Sequence, residues 1–272
     1  MNWTKFYGWL LKGCLAMVVL FIFSIANTTL IFAQSEGREN DTFGRPRIFF
    51  KVPDQGTPDP PDATGSRGDC PGVEPLQLPM VPVVGGNANF QLTANPYPTF
   101  WVYVPYRRED VATGKFILQE DGKESEENFW ESYFQLPEKT GIVRIALPTS
   151  EKPLVPGQVY RWYFEIDCPT KSPNQESDLA YVTGAVKFLP LPDLQSQLNS
   201  ASVPIEKVKI YAENSIWYDT ITELAKLREE QPENTDYEND WIGLFSQPEI
   251  GLEKWANEPV VEAEIITNSL PE

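Results

Sequence analysis

Between residues 76 and 190 the apolar and aromatic positions fall in short runs separated by Pro, Gly and charged turns, the pattern of strands. Seven strands are predicted: Asn89–Ala94, Thr99–Tyr106, Lys115–Asp121, Asn128–Leu136, Gly141–Leu147, Gln158–Asp167 and Leu179–Leu189. Successive side chains of a strand alternate, so in the second of these Phe100, Val102 and Val104 share one face while Trp101 and Tyr103 share the other. Both faces are bulky and apolar, so both are expected to be covered. Seven turn-separated strands with no helical stretch between them predict an antiparallel sandwich, because an α/β layout needs crossover helices.

One local pattern sharpens the fold. Leu154-x-Pro156-Gly157-x-x-Tyr160 leads into a strand that ends at Cys168. It is similar to the tyrosine corner of immunoglobulin and fibronectin type III sandwiches, where a Tyr at the start of the sixth strand bonds back to the chain entering the corner. Pro156 and Gly157 would make the turn, and Tyr160 would be the corner residue. The predicted class is therefore mainly β, an immunoglobulin/fibronectin-like antiparallel β-sandwich, with a helical part after Leu189. There Ile210, Trp217, Ile221, Leu224 and Leu227 recur at helical spacing, and Pro232 disfavours continuation. Thr235 and Glu238 have the spacing of a capping box and precede Trp241, Leu244 and Phe245. These features predict an α-helical hairpin over 191–258, packed on the sandwich, and a tail over 259–272.

The N-terminus has a different character. Lys5 and Lys12 precede an apolar run from Leu15 to Phe23 that continues to Phe32, and Ala33 stands next to Gln34. That order predicts a signal peptide over 1–33, cleaved after Ala33, and a periplasmic or extracellular protein with no integral membrane span once it is removed. The competing reading is an uncleaved anchor, since Leu15–Phe32 is 18 residues long and a span needs about 20; Asn27, Thr28 and Thr29 interrupt it. Residues 34–75 are expected to be a disordered linker, because 13 of the 41 residues from Ser35 to Pro75 are Pro or Gly. Within it only Ile48–Val52 is apolar enough to add a strand to a sheet edge.

Cysteine usage agrees with export. Cys14 leaves with the signal, and Cys70 and Cys168 are expected to pair in an oxidising compartment; the alternative is two unrelated buried thiols. A metal site is not expected, because two thiolates without histidine fall short of the usual four soft ligands. The chain has no histidine at all, which excludes Ser-His-Asp triads and imidazole-based metal centres. No catalytic residue and no cofactor is assigned. The net charge of −17 becomes −19 without Lys5 and Lys12, which disfavours nucleic acid and anionic membrane surfaces as partners.

Candidate binding residues come from the aromatic motifs. Trp101, Tyr103 and Tyr106 could offer ring faces to sugars, or fill the core and the contact with the helices. Tyr218 and Asp219 could point away from the apolar stripe of Trp217 as candidate binding residues, and Glu213, Asp219 and Glu223, roughly on one helical side, could bind a cation or a basic partner, or form a solvated face. Three functions are weighed: a non-catalytic binding module for an envelope protein or glycan; a carboxylate-dependent glycan hydrolase using acids near Glu120, Asp121 and Glu124; and an accessory factor in envelope assembly or secretion that docks through its helices.

Three motifs occur in order: Phe100-Trp101-Val102-Tyr103-Val104-Pro105-Tyr106, Pro156-Gly157-x-x-Tyr160-Arg161-Trp162-Tyr163-Phe164, and Tyr211-Ala212-Glu213-Asn214-Ser215-Ile216-Trp217-Tyr218-Asp219. Together they resemble the cyanobacterial exported family catalogued as domain of unknown function 928, over about Gly68 to Glu258. The resemblance implies a periplasmic or outer-envelope protein and carries no catalytic residue.

Overall fold

The computed structural model describes residues 47–53, 66–67, 70, 78–111, 113–122, 129–169 and 179–266. The chain divides into units Met1–Arg45 and Pro46–Glu272, and the described residues all belong to the second. The signal expected over 1–33 and most of the stretch 34–75 lie outside them.

Among the described residues, eleven strands and four α-helices follow in order: β1 (Ser66–Arg67), β2 (Val81–Pro82), β3 (Gln91–Thr93), β4 (Thr99–Val104), β5 (Thr113–Glu120), β6 (Trp130–Gln135), β7 (Gly141–Ala146), β8 (Val159–Asp167), β9 (Leu179–Phe188), α1 (Pro192–Ser200), α2 (Pro204–Glu213), α3 (Trp217–Glu230), α4 (Thr235–Phe245), β10 (Val260–Val261) and β11 (Glu264–Ile266). All seven expected strands are present, within two residues at their ends. The larger sheet runs β1-β9-β8-β5-β6-β11 with β3 also on β9, and the smaller runs β10-β7-β4-β2. The fold is thus mainly β, with two sheets and four helices near the C-terminus.

The sheets are mixed, which corrects the expectation of a purely antiparallel fold. β3 pairs with β9 and β10 with β7 in parallel. Parallel neighbours need a long connection between them. Here the connection from β3 to β9 is nearly the whole body of strands, and β10 returns only after all four helices. The last described residues also cross between sheets, since β10 extends the smaller sheet and β11 lies on β6 at the edge of the larger.

The sheets meet across a shared aromatic core. Phe100 of β4 approaches Phe116 of β5 at 4.9 Å and Trp162 of β8 at 5.9 Å between ring centroids. On β8 the residues Tyr160, Trp162, Phe164 and Ile166 are buried while Arg161, Tyr163 and Glu165 are only partly covered, the period-2 signature of a strand with one face inside. Tyr160 accepts a hydrogen bond at its hydroxyl from the Val155 N–H, 3.0 Å away. Cys70 and Cys168 are joined as a disulfide with Cα atoms 5.1 Å apart, and the Cys70 N–H also donates to the Tyr106 hydroxyl.

The helices cover the outer face of β4. Trp101, pointing away from the sheet core, packs edge-on to Trp241 of α4 at 6.4 Å and donates from Nε1 to Thr222 of α3. The helix expected to run unbroken from Ile210 to Leu227 is two helices. Asn214 caps α2, Ser215 adopts φ 64°, and the Ile216 N–H reaches the Tyr211 carbonyl at 2.9 Å while Ser215 N–H reaches Ala212. These two bonds make a Schellman ending, whose left-handed residue is usually Gly because a Cβ there is strained. Ser215→Gly is therefore expected to raise unfolding stability by about 0.5–1 kcal/mol, read as a higher denaturant midpoint at unchanged slope; a lower midpoint would mean that the serine side chain holds this corner.

Two further differences have local causes. The cap of α4 is Asn234, whose side chain accepts from the Asp236 N–H, and not Thr235; Asn caps as well as Thr, and Glu238 is drawn to Arg228 instead. α1 was not anticipated, because it carries only Leu194 and Leu198 as buried residues. Within the stretch read as linker, residues 47–53 pack on the body. Ile48 and Phe50 are buried, Phe50 N–H donates to Gln247, Gln247 donates back to the Ile48 carbonyl, and Lys51 N–H bonds to the Ala212 carbonyl. Arg47 closes this segment onto Asp236 and the buried Asp240.

Candidate functional site

The aromatic residues singled out from the sequence are distributed through the core. Trp101, Tyr103, Tyr106 and Tyr218 are each less than 5% exposed, so their ring faces are occupied by protein. Burial and a hydrogen bond with Glu258 push the Tyr103 hydroxyl up to about 12. Tyr218, in the first turn of α3, reaches into the space between the sheets, where its hydroxyl accepts from Trp162 Nε1 at 2.8 Å and lies 3.3 Å from the Ala185 carbonyl. Burial raises its pKa as well. Gly184 permits this arrangement, since a Cβ there would lie 2.5 Å from the Trp162 ring.

Asp219, the next residue, turns to a different neighbour. Its carboxylate accepts from Thr93 Oγ1 at 2.8 Å and from the Ala94 N–H at 3.0 Å, tying the start of α3 to the end of β3. Tyr211, itself raised to about 12 by burial and by Asp219 and Glu223, stands on the same side, whereas Glu213 is exposed at the end of α2. Although Asp219 keeps some exposed surface, protein surrounds its carboxyl closely. Burial pushes its pKa up from 3.8 to about 6, against the two hydrogen bonds and with help from Glu223.

A folded pKa above the unfolded one means that the folded state holds the proton more tightly. The stability so contributed is complete below about pH 4 and is lost as pH rises through about 6. Asp219→Asn keeps an acceptor for both bonds and removes the titration. The difference in stability between variant and parent is expected to shift in favour of the variant by about 1–2 kcal/mol from pH 4 to pH 7, measured as denaturant midpoints; parallel curves would contradict this.

Asp121 pairs with Arg161 at 3.5 Å at the end of β5, next to Glu120, and Glu124 lies outside the described residues. The apolar stripe of the helices is spent inside the fold: Trp217, Ile221, Leu224, Trp241, Leu244 and Phe245 are fully buried. Among the described residues no group of three or more Cys, Asp or Glu is placed to hold a metal ion, and no helix is long and apolar enough to cross a membrane.

What remains open is the outer face of the larger sheet. Strand register places Tyr133, Lys115, Glu165 and Tyr181 in one row across β6, β5, β8 and β9, and Glu131, Ile117, Tyr163 and Thr183 in the next. Tyr133, Tyr163 and Tyr181 are all half-buried, with surface left toward solvent. Tyr163 and Tyr181 lie 6.5 Å apart between centroids at 60°, and Lys115 Nζ stands 5.5 Å from the Tyr133 ring centre. Lys115 also pairs with Glu131 at 3.3 Å, which outweighs the lowering effect of burial and raises its pKa. Burial raises both Tyr163 and Glu165, with Arg161 and Lys115 respectively opposing the shift. A groove of about 220 Å³ opens here, lined by Lys115, Tyr133, Glu165, Asp167 and Leu179 among others.

A larger groove of about 390 Å³ lies beside β4 and β7, against α3 and the C-terminal segment. Its one arginine, Arg144, is already shared between Glu229 and Glu262. The tyrosine face was not singled out from the sequence, yet it had a readable signal. On β8, Tyr163 is out of phase with Tyr160, Trp162 and Phe164, so once those three point inward it must point out.

The model of the family described as Domain of Unknown Function (DUF928) matches residues 62–260. No curated protein and no solved structure matches the chain. The family match spans β1 to the start of β10 and so includes the whole tyrosine face and the three aromatic motifs. The chain belongs to the Domain of Unknown Function (DUF928) family.

Proposed function

We propose that this protein is a non-catalytic binding module working outside the cytoplasm, in the cell envelope, and that its ligand lies across the tyrosine face of the larger sheet. The observation that carries the reading is the presence of Tyr133, Tyr163 and Tyr181, half-buried, on one face. Tyr combines a large apolar ring with a polar tip and few rotatable bonds, which suits recognition surfaces. An extracellular setting is supported by the leader-like N-terminus and by the Cys70–Cys168 link, a bond of oxidising compartments.

The finer architecture we infer is an immunoglobulin/fibronectin-like sandwich carrying a helical hairpin. The orders β2-β4-β7 and β9-β8-β5-β6, together with the Tyr160 hydroxyl bonded back to Val155, support it. α3 and α4, joined by residues 231–234 and packed on Trp101, supply the hairpin. Such a scaffold is rigid, and a rigid sheet holds a recognition face at low entropic cost.

The test is capture from an envelope extract with the parent protein and with the Tyr163→Ala, Tyr181→Ala double variant. The parent is expected to retain a specific partner or glycan that the variant loses. Equal retention by both, or none by either, would count against the reading.

A further inference from the structure

From the chemistry of the tyrosine face we propose that its ligand is a neutral polysaccharide, bound lengthwise across strands β6, β5, β8 and β9; this rests on the binding-module reading above. Three observations lead there. The first is the disposition of the rings. Tyr133 and Tyr181 stand in the same cross-strand row, three strand spacings apart, or roughly 14 Å at the usual separation of neighbouring strands. Tyr163 stands in the adjoining row, 6.5 Å from Tyr181. A row of that length fits a chain of sugar rings and far exceeds a single ring.

The second observation is the charge of the face. Lys115 is paired with Glu131 and Arg161 with Asp121, and Glu165 and Asp167 add two further carboxylates on the same side. Lys187 lies on the same side of β9 and Arg67 of β1 stands opposite Tyr181 in register, so the face is of mixed charge, and the negative excess is that of the whole chain at −17. Phosphate, sulfate or uronate polymers would meet the repulsion of that overall charge. A neutral glycan meets no such cost.

The third is the polar chemistry between the rings. Thr113, Gln119 and Gln135 share the face with Lys115 and Glu165, supplying the hydroxyl and amide groups that fix sugar hydroxyls, while the apolar faces of sugar rings lie on the tyrosines. Ile117 and Thr183, in the row of Tyr163, and Ala185 beyond them are buried, and the last two are small, which leaves a shallow trough and not a deep pocket. A shallow trough on a sheet face suits an extended polymer.

The experiment is affinity electrophoresis of the full protein in native gels containing a neutral β-glucan, a neutral galactomannan or, for contrast, alginate. Retardation is expected in at least one neutral gel and not in alginate, with the apparent Kd at least 10-fold weaker for the Tyr163→Ala, Tyr181→Ala variant. Circular dichroism of the variant should match the parent, which separates loss of binding from loss of fold. Absence of retardation in both neutral gels, retardation in alginate alone, or retardation unaffected by the double variant would overturn the proposal. If the neutral gels show nothing while envelope capture still depends on Tyr163 and Tyr181, the ligand class falls and the binding reading stands. If capture is also independent of those residues, both fall.

Discussion

Trp217→Ala is expected to lower unfolding stability by about 3–5 kcal/mol, the range for removing a fully buried aromatic ring. Trp217 is the place where three separate parts of the chain are pinned together. Its ring is wholly buried, its Nε1 donates to the Val83 carbonyl at 3.0 Å, and Phe50 packs against it edge-on at 5.1 Å. Gly85 lies directly over it, close enough that a Cβ would stand 2.5 Å from the ring. Truncation leaves a cavity, an unpaired carbonyl and Phe50 without the ring it packs against. For a unit of this size the loss corresponds to a fall in Tm of roughly 10 °C, measurable by calorimetry or circular dichroism. Trp217→Phe, which keeps a ring and gives up only the hydrogen bond and part of the contact, should lose less than half as much. A loss below about 1 kcal/mol for the alanine variant would mean that α3 is not seated on the sheets in this way.

The second large effect concerns Cys70 and Cys168. They are 98 residues apart in sequence, and linking ends that far apart stabilises by about 4–5 kcal/mol in the chain-entropy model. Replacing both by alanine, or adding reductant, is expected to lower the denaturant midpoint accordingly. The Tyr106 hydroxyl that receives the Cys70 N–H should hold the local geometry after the link is gone, so the variant is expected to fold. A midpoint unchanged by reductant would mean that the pair is not linked in the protein as purified, and would remove one support for an extracellular setting.

How much of this was legible in the sequence depends on where the stabilising contacts come from. The seven main strands were, because each carries its own alternation or apolar run. The double coverage of β4 was too, since Trp101 and Tyr103 alternate with Phe100, Val102 and Val104 and no water-facing side remains. The short strands β1, β10 and β11 were not. Two or three residues have no periodicity, and these pair only because distant parts of the fold present an open edge to them. The parallel pairing of β3 is of the same kind. The break at Ser215 was hidden because a serine in left-handed conformation looks like any other serine in sequence.

For the site, the motifs richest in aromatic residues drew attention, and they build the core. An aromatic residue buried on both faces and one laid open on a sheet surface read alike when counted. Tyr163 and Tyr181 stand out only after the register of β8 and β9 is known. Asp219 was noticed as a helix-face acid, but its partner Thr93 lies 126 residues away in sequence, a pairing no local pattern encodes.

The central claim, that the face bearing Tyr133, Tyr163 and Tyr181 is open for binding while the motif aromatics are structural, is most directly tested by tyrosine footprinting with mass-spectrometric readout. In the folded protein, nitration should fall on Tyr133, Tyr163 and Tyr181 and spare Tyr106, Tyr160 and Tyr218, and adding the bound glycan or envelope ligand should protect the first three. Modification of Tyr106 and Tyr218 at rates equal to those of Tyr163 and Tyr181, or a bound ligand that leaves all three face tyrosines unprotected, would contradict it.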